Sequence, residues 1–382
     1  MSSVSVVPVH TRRQRKQFLE FPWQLYRNDP NWVPPIRVDQ KELVGYRHHP
    51  FYVRNRAQTF LAYRGNEVCG RIAAIVNQAH VELHNERRGF FGFFESVDDQ
   101  EVANALFDTA GRWLAAENME SMRGPVNPSQ NHVTGALVEG FDSPPTLMMA
   151  YNPPYYDRLI QGYGFRKAQD LYAFWADTEM LPASQGKHWP IADQIQERFG
   201  IRIRPLSRWR FRQDIREFLA IYNQSMKNTW GFAPMSEGEL DYMARVLRFL
   251  LIPELVLGAE IDGRLVGIVF ALPDYNPRIK QIDGRLLPFG FLRLLWGRRK
   301  IKKVRILAAS VLPEYQLMGV SLVLLRAMAP AALECGIREV EYSWIAESNA
   351  LSRGSLEKGG AKRIKTYRVY DLDWLPTALA VT

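Results

Sequence analysis

The sequence predicts an α+β protein that contains the same structural unit twice. Three kinds of segment occur in the same order in each half of the chain: a strand–turn–strand segment, a helix–strand segment and a glycine-led amphipathic strand. A chain of 382 residues is too long for one ordinary core, and its composition is typical of globular proteins. A duplicated α+β unit explains this collinear order better than chance does.

The first two pairs of segments predict a hairpin, a helix and a strand in each half. Residues Thr59–Asn77 and Leu255–Asn276 each place a glycine turn between runs of valine, isoleucine and leucine, as β-hairpins do. Residues Glu101–Asn127 and Gly319–Ile345 each show apolar positions at helical spacing, followed by the alternation of a strand.

The third pair ends each half and sets the predicted domain boundaries. Residues Gly164–Asp177 and Gly360–Asp373 each read as the end of a helix followed by an amphipathic strand. We expect a linker near Leu181–Arg202. The predicted domains are therefore residues 1–180 and residues 200–382.

Charge and cysteine content indicate the compartment and the kind of partner. The formal net charge is +9, which indicates either an anionic partner or simply a basic surface. The two cysteines form no disulfide framework, so we expect a reducing compartment. The chain shows no secretory signal pattern and no apolar run that could span a bilayer. We expect a cytoplasmic protein, either free or peripheral to the inner membrane.

One strand–helix junction, Val311–Ser321, has the pattern of an anion site. An apolar strand ends before Pro313, and Gly319 then precedes a long helix. The first N–H groups of a helix have no partner within it, and the helix dipole favours negative charge there. Glycine permits positive φ and close approach of a ligand. By itself, the pattern allows either a phosphate site or only a tight turn.

Two motifs carry a resemblance to a known family. The segment Val311–Ser321 resembles motif A of the GNAT acyltransferases, with Ser321 where that motif has glycine or alanine. Downstream, Asn349 and the Glu357–Gly359 segment resemble motif B. The resemblance covers roughly residues 202–373. It implies two tandem GNAT-like domains, each a mixed, mostly antiparallel sheet flanked by helices.

The resemblance also implies acyl-CoA as the acyl donor, with no metal. Pantetheine would run along the strand that ends at Val311, and Asn349 would meet the cofactor. The pyrophosphate would lie on the N–H groups of six consecutive residues: Gln316, Leu317, Met318, Gly319, Val320 and Ser321.

The N-terminal half lacks this phosphate loop. At the corresponding helix start it carries three acidic residues, Asp98, Asp99 and Glu101, which would repel a pyrophosphate. We expect a degenerate half that binds no CoA. The layout is similar to bacterial tandem GNAT-like proteins, some of which acylate lipid amines, including ceramide synthases.

Amide formation from a thioester needs a group that takes a proton from the amine. Glu341 and Glu347, at the end of a predicted strand, and Glu314, in the loop, are the candidate bases. The alternative for each is a solvated strand edge. Leu356 occupies the position at which many GNAT enzymes carry a tyrosine acid. Either another group, Tyr315 or Tyr367, takes that role or the thiolate leaves unaided.

Two polar and aromatic groups are candidates for the acceptor site. Asn228, Trp230 and Phe232 form an aromatic turn suited to an apolar acceptor, or else anchor a loop to the core. In the N-terminal half the candidates are Glu95, Asn127 and Tyr155, and for that group turn chemistry and interdomain contacts are the alternatives. His80 and His84 lack the pattern of a metal site and are expected to be surface residues.

An insertion at residues 277–303 distinguishes the C-terminal half. From Arg278 to Lys303 it holds nine lysines and arginines, one acid, and clusters of leucine, phenylalanine and tryptophan. Basic residues beside exposed apolar ones are typical of interfacial segments, so we expect contact with an anionic membrane. A nucleic-acid-binding arm and a core hairpin are the alternatives.

The sequence therefore predicts an acyl-CoA-dependent N-acyltransferase that acts on a primary amine. A lipid amine and a long acyl chain, as in ceramide synthases, are one form of this prediction. An aminoacyl-tRNA-dependent transferase of the same fold is one alternative, and nucleic acid is expected as a partner only there. A non-catalytic acyl-CoA or lipid-binding protein is the other.

Overall fold

The computed structural model describes residues 3–180, 186–207, 209–227 and 229–373. The chain divides into two compact units. Unit 1 consists of Met1–Leu171, Arg278–Gly290 and Lys365–Thr382, and unit 2 of Tyr172–Pro277 and Phe291–Ile364. Each unit is built on a mixed sheet flanked by helices, as predicted.

Unit 1 contains a sheet with the strand order β1-β2-β3-β4-β5-β15. Its pairs are antiparallel except for β4 and β5, which are parallel. The strands of the N-terminal half are β1 (Val4–Pro8), β2 (Arg56–Arg64), β3 (Glu67–Val76), β4 (Arg88–Ser96), β5 (Ser121–Gly124), β6 (Val126–Asn127), β7 (Val133–Thr134), β8 (Ala136–Glu139) and β9 (Arg166–Asp177). The last strand of the chain, β15 (Lys362–Asp373), pairs with β5 and β8.

Helices cover the sheet of unit 1. They are α1 (Arg12–Leu25), α2 (Arg37–Leu43), α3 (Gln78–His84), α4 (Gln100–Ala116) and α5 (Tyr156–Tyr163), and a 3₁₀ turn spans Pro50–Val53. In α4, Val102, Leu106, Ala110 and Leu114 recur at helical spacing and are fully buried. This stripe packs against β2 and β3 and forms the core of the unit.

Unit 2 repeats this plan with the strand order β14-β13-β12-β11-β10. Only the pair β13–β14 is parallel. The strands are β10 (Arg202–Pro205), β11 (Val256–Ile261), β12 (Arg264–Pro273), β13 (Lys303–Val311) and β14 (Glu339–Ala346). The helices of unit 2 are α6 (Trp189–Arg198), α7 (Phe211–Ser225), α8 (Glu237–Leu250), α11 (Val320–Glu334) and α12 (Ala350–Lys358). The insertion contributes α9 (Asn276–Gln281), which lies mostly in unit 1, and α10 (Gly290–Leu295), which lies mostly in unit 2. Three 3₁₀ turns span Pro253–Leu255, Arg298–Lys300 and Pro313–Met318.

The two units do not coincide with the two halves of the sequence. Residues 365–373 of β15 belong to unit 1, because they pair there with β5 and β8. Strand β9 passes from unit 1 into unit 2 after Leu171. Part of the segment expected to be a linker forms the helix α6. This helix packs on α11, and the Arg326 guanidinium lies 4.3 Å from the centre of the Trp189 ring.

The insertion forms short helices and a 3₁₀ turn rather than a hairpin. Its first part, residues 278–290, belongs to unit 1, where Asp283 accepts hydrogen bonds from Trp23 (2.6 Å) and Arg37 (2.7 Å). Several of its large apolar side chains are exposed: Leu287, Phe289, Phe291, Leu292 and Trp296.

Candidate active site

The two central strands of unit 2 are paired over only part of their length. Parallel pairing runs from Lys303–Glu339 to Ile306–Tyr342, while β13 continues to Val311 and β14 to Ala346. Ala309, in the continuing part of β13, is exposed although β13 is an inner strand. The ends of these strands therefore border an open cleft.

The predicted phosphate loop leads directly from this cleft into α11. The 3₁₀ turn Pro313–Met318 follows β13, and Gly319 then adopts a φ of +76°, which a residue with a side chain rarely adopts. No side chain caps α11, and its first turn contains no acidic residue. The helix N-terminus thus keeps both the N–H groups and the positive dipole end that suit an anion.

Gly319 has a second structural role. A Cβ atom at this position would lie 2.6 Å from Cδ1 of Ile195 on α6, so the glycine also permits close packing of that helix. A bulky substitution at Gly319 would disturb both the packing of α6 and the binding of a ligand. Ser321, at the second position of α11, is partly buried and is the better place to test the two effects separately.

Asn349 stands at the start of α12, where its side-chain oxygen accepts a hydrogen bond from the N–H of Ser352 at 3.1 Å. The residue is exposed. Its amide oxygen therefore caps the helix, and its amide NH₂ takes no part in this capping bond.

A buried ionic network lies where β13 and β14 are still paired. Glu341 is fully buried; one carboxylate oxygen lies 3.1 Å from Nζ of Lys303, and the other accepts from Oγ of Ser343 at 2.8 Å. Arg305 donates to Oγ of Ser343 at 2.9 Å and to its carbonyl at 3.1 Å. The interpretation of Glu341 as a solvated edge residue is therefore wrong, because its charge is compensated inside the sheet.

Sequence reasoning missed Lys303 and Arg305. The available signal was the spacing of Lys303 and Arg305, because strand alternation places these two basic residues next to each other on one face. Burial also affects a neighbouring tyrosine: it raises the pKa of Tyr222 to about 12, against the opposing effect of the Arg305 charge.

Glu347 lies at the open end of the cleft. Glu347 comes five residues after Tyr342, the last residue of β14 that pairs with β13. Val311, at the end of β13, likewise comes five residues after Ile306, the partner of Tyr342. The Tyr172 hydroxyl, on β9, lies 3.3 Å from its carboxylate. Tyr172 was not predicted, since nothing in its strand distinguishes it from a core aromatic residue.

The aromatic turn after α7 is only partly in contact with solvent. Phe232 is buried against Tyr222, with ring centroids 6.0 Å apart, which favours its role as a core anchor. Trp230 is partly exposed. Asn228 lies outside the described residues. An acceptor-binding role for these three residues stays a prediction.

The three candidates in the N-terminal half gather at the end of β4. Glu95 accepts hydrogen bonds from Tyr26 and Tyr156, each at 2.7 Å, and Tyr155 donates to the carbonyl of Ser96 at 2.8 Å. Burial raises the pKa of the Glu95 carboxyl, although Arg71 and the two tyrosines favour its charged form.

Asn127 closes the cleft of unit 1 that corresponds to the open one of unit 2. Here too the parallel pair separates, after Phe90–Arg123. The Asn127 side chain accepts the N–H of Phe93 at 2.5 Å, and a Cβ at Gly92 would lie 1.7 Å from the Val126 carbonyl oxygen. The backbone of β6 thus fills this space, and only a glycine in β4 allows it.

The corresponding helix start in unit 1 is also occupied. Asp99 caps α4 by accepting from the N–H groups of Glu101 and Val102, and Arg64 neutralises Asp99 at 2.7 Å. This arrangement supports the expectation that the N-terminal half binds no CoA.

Tyr367, the candidate acid, belongs to unit 1 and is fully buried. Its part in proton transfer stays a prediction. Within the described residues, no group of three or more metal-ligating side chains occurs, and no helix has both the length and the apolarity to cross a membrane. His80 is buried rather than on the surface, so that expectation is wrong for this residue.

Comparisons with known proteins agree with this description. The chain is 35% identical over 382 residues to a bacterial ceramide synthase from Caulobacter vibrioides, covering 97% of both chains. It is 32% identical over 362 residues to protein YghO from Escherichia coli, covering 93% of this chain and 92% of the relative. No family model matches the chain.

Two solved structures share the fold. A tandem GNAT protein from the clavulanic acid biosynthesis pathway aligns over 97% of this chain and 98% of its own, with a TM-score of 0.56 and 13% identity. A probable N-acyltransferase from Enterococcus faecalis V583 aligns over 97% of this chain and 73% of its own, with a TM-score of 0.52 and 10% identity. The predicted fold class is confirmed.

Proposed function

Because this chain belongs to the tandem GNAT family of N-acyltransferases, we propose that it transfers an acyl group from acyl-CoA to a lipid amine. We assign the chemistry to unit 2. The observation that carries this proposal is the uncapped N-terminus of α11, which follows Gly319 at the open ends of β13 and β14.

The chemistry of that site supports acyl-CoA as the donor. Free N–H groups at a helix N-terminus bind phosphate oxygens, and CoA carries a pyrophosphate. The unpaired edge of β13 beyond Ile306 offers backbone groups to the amides of pantetheine. In this arrangement the loop from Gln316 to Ser321 holds the pyrophosphate, and Asn349 offers its amide NH₂ to the cofactor.

One relative and the exposed surface of the insertion support a lipid amine as the acceptor. A relative that is 35% identical over the whole chain is a ceramide synthase, an enzyme name that implies a lipid amine. Exposed Phe289 and Trp296, next to basic residues of the insertion, suit an anionic bilayer from which such an amine would be taken. The two buried free cysteines suit a cytoplasmic enzyme at the inner membrane.

The reaction requires three events. Glu347 takes a proton from the ammonium group of the acceptor, and the free amine then attacks the thioester carbonyl. The C–N bond forms and the C–S bond breaks. The nitrogen gives up its second proton to the departing thiolate, so CoA leaves as the free thiol. A thiol with a pKa of about 8.5 is a fair leaving group, so the leucine at position 356 does not prevent the reaction.

We favour Glu347 over Glu341 as the base because their surroundings differ. Both oxygens of Glu341 already have partners, Lys303 and Ser343, and Glu341 is fully buried. Glu347 is only partly buried and has the Tyr172 hydroxyl at 3.3 Å to orient it.

Release of free thiol tests the proposal. The purified enzyme is given palmitoyl-CoA and sphinganine, and thiol release and amide product are both measured. We expect Glu347→Gln to lower kcat by about 100-fold or more, the usual value of a general base. Glu334→Gln, an exposed glutamate at the end of α11, makes the same charge change and serves as the matched control.

The outcomes discriminate between donors and functions. Equal thiol release by the Glu347→Gln and control variants would remove Glu347 from the mechanism. Absence of a thermal shift with CoA, together with tRNA binding that weakens steeply with salt, would favour the aminoacyl-tRNA-dependent alternative.

A vesicle experiment tests the membrane contact. We expect the protein to sediment with vesicles that contain phosphatidylglycerol, and the Phe289→Ser and Trp296→Ser variants to sediment less. Val53→Ser, which removes an apolar side chain that is 73% exposed outside the insertion, is the control. Equal losses in all three variants would contradict a specific role for the insertion.

A further inference from the structure

Unit 1 contains a cavity that has no part in the proposed reaction. It has a volume of about 370 Å³ and lies between α1, α2 and the segment that follows α2. One acidic residue, Glu20, lines it. Five cationic residues line it as well: Arg12, Arg15, Lys16, Arg37 and Lys41.

The positive charge of this cavity is only partly compensated. Lys16 has Glu20 at 4.0 Å, and Arg37 has Asp283 at 2.7 Å. The other three cations make no ion pair with any residue that the structure describes. Like charges gathered at one concave surface raise the local positive potential, which attracts an anion.

Aromatic rings hold two of the guanidinium groups in position. The Arg15 guanidinium lies 5.3 Å from the centre of the Tyr46 ring, and that of Arg37 lies 4.1 Å from the centre of the Trp23 ring. Asp283 fixes this second pair, because it accepts from both Trp23 and Arg37. A guanidinium that is already oriented loses less freedom when it binds a ligand.

We propose that this cavity is a binding site for a phosphate group. Guanidinium groups bind phosphate oxygens in bidentate fashion, and a phosphate monoester carries enough negative charge to meet several cations at once. Leu19, Trp23 and Tyr46 give the cavity an apolar wall, so an organic phosphate suits it better than the inorganic ion. The site is independent of the acyl-CoA proposal, since all its lining residues belong to unit 1.

The phosphate could come from a soluble metabolite or from the head group of a phospholipid, and one probe of each kind separates these sources. Isothermal titration calorimetry of the full chain with glycerol 3-phosphate tests the soluble form. Sedimentation with phosphatidylcholine vesicles that carry either phosphatidic acid or the same charge of phosphatidylglycerol tests the lipid form, because only phosphatidic acid carries the phosphate monoester.

Variants of α1 test the location. Loss of one charge-assisted hydrogen bond weakens binding by about tenfold to a hundredfold, so we expect Arg15→Gln to lower affinity for glycerol 3-phosphate by at least about tenfold. Arg15→Lys keeps the charge but loses the planar fork, and we expect an intermediate loss. Arg13→Gln changes the same charge on the same helix outside the cavity and should retain wild-type affinity.

Each outcome has a definite reading. Binding that Arg15→Gln weakens and Arg13→Gln does not supports the site, and the probe that binds identifies the source of the phosphate. Equal weakening by both variants would mean general surface electrostatics and would overturn the proposal, as would failure of both probes to bind. Thermal unfolding of each variant verifies that its fold is intact.

Discussion

A single added carboxylate should separate the stability of α11 from the affinity for CoA. Ser321 is the second residue of a helix whose N-terminus has no cap and no acid. An aspartate there meets the positive end of the dipole and should stabilise the helix by about 0.3–1 kcal/mol. The same carboxylate would stand within about 5 Å, one helical turn, of any pyrophosphate bound to those N–H groups.

The repulsion is much larger than the gain in stability. At an effective dielectric constant near 20, two unit charges about 5 Å apart repel by roughly 3 kcal/mol, and salt screening reduces this value. We therefore expect Ser321→Asp to weaken CoA binding by at least about tenfold, while the unfolding temperature stays equal or rises. Unit 1 supplies the natural counterpart, since Asp99 already occupies the start of α4.

Calorimetric titration with CoA and thermal unfolding without ligand measure the two quantities. Ser321→Asn, which is similar in shape and neutral, is the matched control and should bind CoA nearly as well as the wild type. An aspartate variant that is stable and binds CoA with unchanged affinity would refute a pyrophosphate at the start of α11.

Three further predictions concern stability. Glu341→Gln leaves Lys303 without its buried counter-charge and should destabilise the fold by about 3–5 kcal/mol in urea unfolding; unchanged stability would contradict a structural role. Burial lowers the pKa of His49 to about 4, so protonation favours the unfolded state as the pH falls below about 6.5. From pH 7 to pH 5, the free energy of unfolding should fall by about 2 kcal/mol more in the wild type than in His49→Phe. Equal falls would contradict this reasoning. Asp283→Ala releases Arg37 and should speed proteolysis between residues 284 and 289, whereas an unchanged cleavage rate would show that other contacts hold this segment.

The local elements were predictable from the sequence, because hairpins, helices and amphipathic strands leave periodic patterns. The glycine turn before α11 was predictable for a similar reason: Gly319 and the apolar helix after it are neighbours in the chain. The pairing of β15 with strands of unit 1 was not predictable, since it joins residues far apart in sequence, such as Tyr367 and Leu137. The register of such pairs follows from tertiary packing and not from a local pattern.

The burial of Glu341 was unpredictable for a related reason. A glutamate in an alternating strand normally faces solvent, and its compensating Lys303 lies on a different strand. The α6 helix was missed for a different reason, because the residues before it are rich in proline and glycine. A start signal was nonetheless present in Trp189–Pro190, since proline is favoured in the first turn of a helix.

The two clefts show how one fold can give an open space in one unit and a filled space in the other. In both units a parallel pair of strands separates after a few residues, and the fold itself therefore provides the space twice. In unit 1 the chain fills that space with β6 and caps the adjacent helix with Asp99. In unit 2 neither event occurs within the described residues, and Ala309 faces solvent. Restoring a CoA site in unit 1 would thus require two changes, removal of the acid and displacement of β6, so exchanging Asp99 alone should not create CoA binding there.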